Sequence, residues 1–168
     1  ALSAQTTRYG GYQEESGYQQ RKATVRLDQD WQEWRVSGVI EGSDLDQETA
    51  GYIRGFEAYK DDSAREVNPN PEAYRDAWSA RGYLSFSRAL GTGGELLLRP
   101  YWRSNEMTFL QHYLPWQATE TNRHRSGGIQ AMVSCLTPRL HWLAGVDIDH
   151  TKGSLFEDQA EFFSPNQP

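Results

Sequence analysis

Apolar and polar side chains alternate with period two over long stretches of this chain, and that pattern fixes the class of structure it can form. From residue 140 onward, Leu140, Trp142, Ala144, Val146 and Ile148 fall on one side, and His141, Leu143, Gly145, Asp147 and Asp149 on the other. An α-helix, with its period of about 3.6 residues, cannot gather those apolar residues into one stripe, so the segment reads as a strand. Residues 95–103 repeat the pattern, with Leu96, Leu98, Pro100 and Trp102 against Glu95, Leu97, Arg99, Tyr101 and Arg103. Pro100 is the exception within it, since proline cannot donate to a ladder. Residues 77–88 set Trp78, Ala80, Gly82, Leu84 and Phe86 against Ser79, Arg81, Tyr83, Ser85 and Ser87. Residues 19–27, 34–41 and 127–135 read the same way and residues 6–13 more weakly, which makes seven strands.

The links between these strands alternate in length. Residues 28–30, 90–94 and 136–138 carry tight-turn chemistry, whereas 42–74, 105–122 and the stretch after His150 are long. Short turns at one end and long loops at the other are what an outer-membrane barrel shows between its periplasmic and extracellular ends. The expected fold is therefore all-β: an antiparallel transmembrane β-barrel of about seven to eight strands, a fragment of a larger barrel. Tryptophans give an independent indication, because indole rings favour the border between hydrocarbon and headgroups. Trp31 and Trp34 flank the first short turn and Trp142 the third, while Trp78 and Trp102 are placed at the long-loop ends of their strands, so these five are expected to mark the two membrane interfaces. Trp116 falls in a loop. The 42–74 link, with Ala50, Tyr52, Ile53, Phe56 and Tyr59, is long enough to hide a further strand or hairpin, and Asn68, Pro69, Asn70 and Pro71 mark a loop.

Composition removes several function classes. Apolar runs reach only three residues, as at 96–98, far short of the roughly 18 that a membrane helix needs. A net charge of −6 with no basic cluster argues against nucleic acid as a partner. Cys135 stands alone, which leaves no disulfide framework and no zinc knuckle. Ala1 and Leu2 open no secretory signal. No catalytic signature emerges: Gly91, Thr92, Gly93 and Gly94 lack the Lys and Ser/Thr of a phosphate loop and read as a hairpin turn. Asp147, Asp149 and His150 lack metal-ligand spacing, so a solvated lumen is favoured over a metal site. Neither a cofactor nor a metal is expected, and the chain does not read as an enzyme.

Two runs carry a family resemblance. The first is Met107, Thr108, Phe109, Leu110, Gln111, His112, Tyr113, Leu114, Pro115, Trp116 and Gln117, followed by Glu120, Thr121, Asn122 and then Ser126, Gly127, Gly128, Ile129, Gln130. The second is Gly145, Val146, Asp147, Ile148, Asp149, His150, Thr151, with Gly153, Ser154, Leu155 and Glu157, Asp158, Gln159. Together they resemble a long extracellular loop with its return strand, and a later upward strand with its loop, in TonB-dependent outer-membrane receptors. The resemblance implies a barrel of about 22 strands, plugged by an N-terminal domain, that takes up scarce ligands such as ferric siderophores with energy relayed by TonB. On it, residues 1–168 are a partial barrel without the plug, beginning just after it and breaking off in an extracellular loop. Its partners would be outer-membrane lipid, the plug and TonB outside this chain, and a ferric siderophore or similar small ligand, and its place would be the bacterial outer membrane.

Arg26, Arg35, Arg81, Arg99 and Arg103 fall on the polar sides of strands, and with Asp147 and Asp149 are expected to line the lumen, with structural pairing the favoured role of the arginines. Phe109, His112, Tyr113 and Trp116 are the ligand-contact candidates, weighed against packing of the loop on itself. Two rival readings stand beside the receptor: a small complete eight-stranded outer-membrane barrel of structural or adhesive role, with one strand hidden in residues 43–74, and a soluble carbohydrate-binding β-sandwich.

Overall fold

The computed structural model describes residues 1–91 and 93–159, and they form one seven-stranded antiparallel meander in sequential order. The strands are β1 (Leu2–Tyr9), β2 (Tyr18–Trp31), β3 (Trp34–Glu48), β4 (Tyr74–Leu90), β5 (Gly94–Leu110), β6 (Thr119–Leu136) and β7 (His141–Asp158). Seven strands are present, as expected, but the first lies at Leu2–Tyr9 rather than at 6–13, and β2 to β7 are longer than the alternation indicates. The sheet does not close, because β1 and β7 form its two edges. No second sheet packs on it among the described residues, which removes the stacked interior that a β-sandwich requires. No helix is long and apolar enough to cross a membrane.

Register follows from the apolar pattern, since a slip by one residue would turn every side chain to the opposite face. Val25 lies opposite Ile40, Ile40 opposite Gly82, Gly82 opposite Trp102, Trp102 opposite Gly127, and Gly127 opposite His150. Such rungs collect on one face an apolar band that runs from Trp31 to Ala23, Trp34 to Gly42, Leu90 to Trp78, Gly94 to Trp102, Cys135 to Gly127 and Trp142 to Ile148. The band is uncovered: Leu27 is 70% exposed, Ile40 58%, Val146 58% and Ile148 62%. Its one arginine, Arg88, lies at the lower border, paired with Glu33 and stacked over the Trp34 ring at 5.9 Å.

Five of the six tryptophans share this face. Trp31 and Trp34 are opposed across the first turn, and with Trp142 they edge the band on its short-turn side. Trp78 and Trp102 edge the other side, yet neither rung is level: Trp78 shares its rung with Glu106, whereas Trp102 is two face positions lower, at the middle of β5. The border thus descends across the ladder from β4 to Ile148 on β7. Trp102 is at the end of the band and not, as the sequence suggests, at the end of its strand.

Beyond that border the strands run on with charge on both faces: Arg21, Asp44, Asp46, Asp76, Glu106, Arg123, Arg125 and Lys152 all continue the side that carried the band. This explains the misjudged links. The expected 42–74 link shrinks to residues 49–73 because β3 runs on to Glu48, and it holds a 3-10 turn, Ala58–Lys60, and a short helix α1, Asp62–Glu66, in place of a hidden strand. The 105–122 link shrinks to residues 111–118, and β7 continues past His150 to Asp158. The first tight turn falls at Gln32 and Glu33 rather than at 28–30, with Gln32 in the left-handed region at φ 54°. Thr92, in the expected 90–94 turn, and residues 160–168 lie outside the described residues.

Candidate functional site

The long connections all emerge at one end of the meander, and they knit together there. Residues 10–17 join β1 to β2, residues 49–73 join β3 to β4, and residues 111–118 join β5 to β6. Asp61 caps α1, its carboxylate accepting from the Ser63 hydroxyl and from the Ala64 and Ser63 N–H groups, and those bonds, the hydroxyl's first, hold its carboxyl below the usual range. The first loop is tied to the second by the Glu14 N–H donating to the Glu66 carbonyl at 2.8 Å and the Gln13 amide donating to the Val67 carbonyl at 3.0 Å. Asn68, 8% exposed, anchors the junction: its amide donates to the Glu15 carbonyl at 2.8 Å, and its oxygen accepts from the Asn70 N–H at 2.9 Å. The third loop joins through the Gln117 amide, which donates to the Glu72 carboxylate at 2.8 Å. Glu72 is held below its usual range first by its own backbone N–H, then by the Asn70 and Gln117 side chains.

The deepest burial among the described residues is in this cap, at Ala73 and Ala118, and not in the sheet. Yet the cap presents aromatic rings outward. Tyr12, Tyr52, Phe56, Tyr59 and Tyr113 are all exposed, Phe56 at 97%, and Trp116 is partly so. Arg54 lies over the Tyr52 ring at 5.3 Å and Arg65 over that of Tyr12 at 5.9 Å, so cationic groups are interleaved with the rings.

Of the four ligand-contact candidates, Tyr113 and Trp116 stand exposed on the third loop. His112 is half-buried against Tyr113, ring centroids 5.8 Å apart, and its Nδ1 is buried with no hydrogen-bond partner among the described residues. Phe109 is corrected: it belongs to β5, opposite Arg75 and Glu120 on the polar face, and is not a loop residue. The sequence noted Tyr52, Phe56 and Tyr59 without assigning them a contact role, and Tyr12 drew no notice; adjacency to a loop disguised as featureless was their only signal.

The second feature is the polar face itself. Arg26, Arg35, Arg81, Arg99, Arg103, Asp147 and Asp149 all lie on it. Arg81 pairs with Glu41, directly opposite, and Arg26 donates to Asp28 at 2.8 Å. At its centre the Tyr101 hydroxyl donates to Asp149 at 2.8 Å and contacts Asp147 at 3.2 Å, while Asp147 also accepts from the Gln130 amide at 2.8 Å. Arg103 reaches Asp149 at 3.6 Å and Ser126 more closely. Arg99 stacks on the Tyr83 ring at 5.3 Å, and its Nε is buried with no hydrogen-bond partner among the described residues. Tyr101 thus bridges the two carboxylates, Arg103 is near Asp149 alone, and among the described residues no cluster with metal-ligand character forms.

No family model matches the chain, and no curated protein matches it.

Proposed function

We propose that the sheet is a section of an outer-membrane β-barrel wall and that the barrel is a TonB-dependent receptor for a scarce ligand, with a ferric siderophore as the ligand the resemblance implies. The observation that carries the membrane reading is the uncovered apolar band between two tryptophan borders. From Trp34 to Gly42 it spans roughly 26 Å along the strand, and from Leu90 to Trp78 roughly 40 Å. With a barrel strand tilt of about 40°, these become heights of about 20 and 30 Å, bracketing the ~25 Å apolar belt of barrels. The slant of the upper border across the ladder agrees with such a tilt. Bare edges on β1 and β7 also support a larger wall, because unpaired N–H and C=O groups are not tolerated in hydrocarbon and call for further strands.

The receptor part rests on the loop cap. Exposed rings interleaved with arginines, held on a hydrogen-bonded platform, suit a flat, aromatic or anionic chelate, and the paired polar face below would line its route. A plug and TonB enter as partners supplied from outside this chain. The ligand would dock on the cap, and movement of the plug would open the passage.

Two measurements test this. Protein folded into phospholipid vesicles is expected to run faster unheated than boiled on a denaturing gel and to show blue-shifted indole emission; a water-soluble monomer without detergent would defeat the membrane reading. Ferric-siderophore titration is expected to quench Trp116 emission, and removing Tyr52, Phe56 and Tyr113 together should abolish the quench. Unchanged affinity in that triple variant would remove the cap from ligand binding.

A further inference from the structure

Just beyond the apolar band, Arg125 on β6 and Lys152 on β7 are directly opposed on the face that carries it. Like charges in that position repel, whereas Arg123 on the same face donates to Glu106 at 2.6 Å and Arg21 is opposed by Asp44. Among the described residues, no carboxylate lies within salt-bridge distance of Arg125 or Lys152. Their neighbour on β5 is Ser104, which offers no charge. Both cations are exposed.

Their height is informative. One face position below them is the rung of Trp102, Gly127 and His150, and one below that the apolar pair Ile129 and Ile148. Arg125 and Lys152 therefore lie about 7 Å along the strand past the Trp102 rung and about 13 Å past the isoleucines. On the membrane reading given above, on which this inference rests, that is where headgroups begin, since they add roughly 5–8 Å to each side of the hydrocarbon core. An anion arriving there would relieve the repulsion, and one attached to acyl chains would also cover Ile129 and Ile148 below.

We propose that Arg125 and Lys152 form a binding site for the phosphate of a phosphorylated lipid in the leaflet on the long-loop side, with His150 beside it. Arg125 supplies a planar fork to two phosphate oxygens and Lys152 a point charge.

The test uses the protein folded in vesicles, with a diphosphorylated glucosamine lipid and the same lipid stripped of its phosphates as probes. Wild type is expected to retain the phosphorylated form preferentially on native mass spectrometry. In Arg125→Gln/Lys152→Gln that preference should fall on the order of tenfold, while retention of the dephosphorylated lipid stays as it was. Arg21→Gln/Lys22→Gln removes the same charge elsewhere and should keep the preference, as should the charge-conserving Lys152→Arg. An unaltered preference in the double variant, no preference in wild type, or displacement of the lipid by inorganic phosphate alone would overturn the site. The heat-shift gel separates the two readings: if protein fails to insert, the membrane reading falls and this one with it, whereas insertion without phosphate preference sinks this one only.

Discussion

The Tyr101 ring lies across the bare backbone of Gly128, its partner on the neighbouring strand, and a Cβ at Gly128 would sit 2.6 Å from the tyrosine hydroxyl and 2.3 Å from the Ile148 carbonyl oxygen. The glycine is what lets Tyr101 lean over β6 and reach Asp149 on β7. Gly128→Ala is expected to destabilise the folded protein by about 1–3 kcal/mol, because the clash involves backbone that cannot move aside cheaply. Gly153→Ala on β7 is the control, since the nearest atom to its Cβ would be 3.6 Å away, and it should be neutral. Urea midpoints of the two variants measure the difference; equal midpoints would count against this packing.

The two faces make opposite demands on charge. Leu84→Arg introduces a cation into the middle of the apolar band and should cost about 2–4 kcal/mol in vesicles, the penalty for a cation at the bilayer midplane. Ser87→Arg, on the polar face, should cost little. Were the band wetted instead, Leu84→Arg would be harmless, since Leu84 is already 49% exposed.

Gln32 holds a left-handed backbone in a two-residue turn. Glycine adopts that conformation without the Cβ clash, so Gln32→Gly should stabilise the β2–β3 hairpin by about 1 kcal/mol, read as slower amide exchange of Trp31 and Trp34. Faster exchange would refute the strain.

Asn68 joins two loops through its amide and oxygen. Asn68→Ala leaves the Glu15 carbonyl and the Asn70 N–H without partners, a local loss of about 1–3 kcal/mol. Limited proteolysis should then cleave residues 49–73 while the sheet keeps its denaturation midpoint. A parallel drop in that midpoint would show that the cap and the sheet unfold as one.

Asp61 gives the cap a pH dependence of known sign. Its folded pKa lies below the ordinary value of 3.8, so its contribution is complete above that value and is lost as pH falls through the lower folded one. Protection of the Ala64 amide, its exchange rate relative to that of an unstructured chain at the same pH, should fall on acidification, and in Asp61→Ala it should be low at every pH. A flat profile in wild type would remove the cap.

The seven strands, and the sides taken by Arg26, Arg35, Arg81, Arg99 and Arg103 and by Trp34, Trp78, Trp102 and Trp142, were legible because one half of the sheet has an apolar face. The other half was not. In Thr119, Glu120, Thr121, Asn122, Arg123 and His124 neither face is apolar, so period two vanishes although pairing continues to Thr119. Alternation reports an apolar face, not strandedness, and the expected strand ends at residues 41, 103, 127 and 149 accordingly fall at or beside the borders of the band. The cap failed for a related reason. Its cohesion is in amide-to-carbonyl bonds such as Asn68 to Glu15, which join residues 53 apart and leave no periodic trace.

The bare margins of the sheet carry a consequence for assembly. With seven strands in alternating directions, β1 and β7 run the same way. Zipping one directly to the other, or to its counterpart in a second copy with the same orientation in the bilayer, would make a parallel seam. A cylinder in which every neighbour is antiparallel therefore needs an odd number of additional staves between these two margins, and whatever completes the wall must obey that parity.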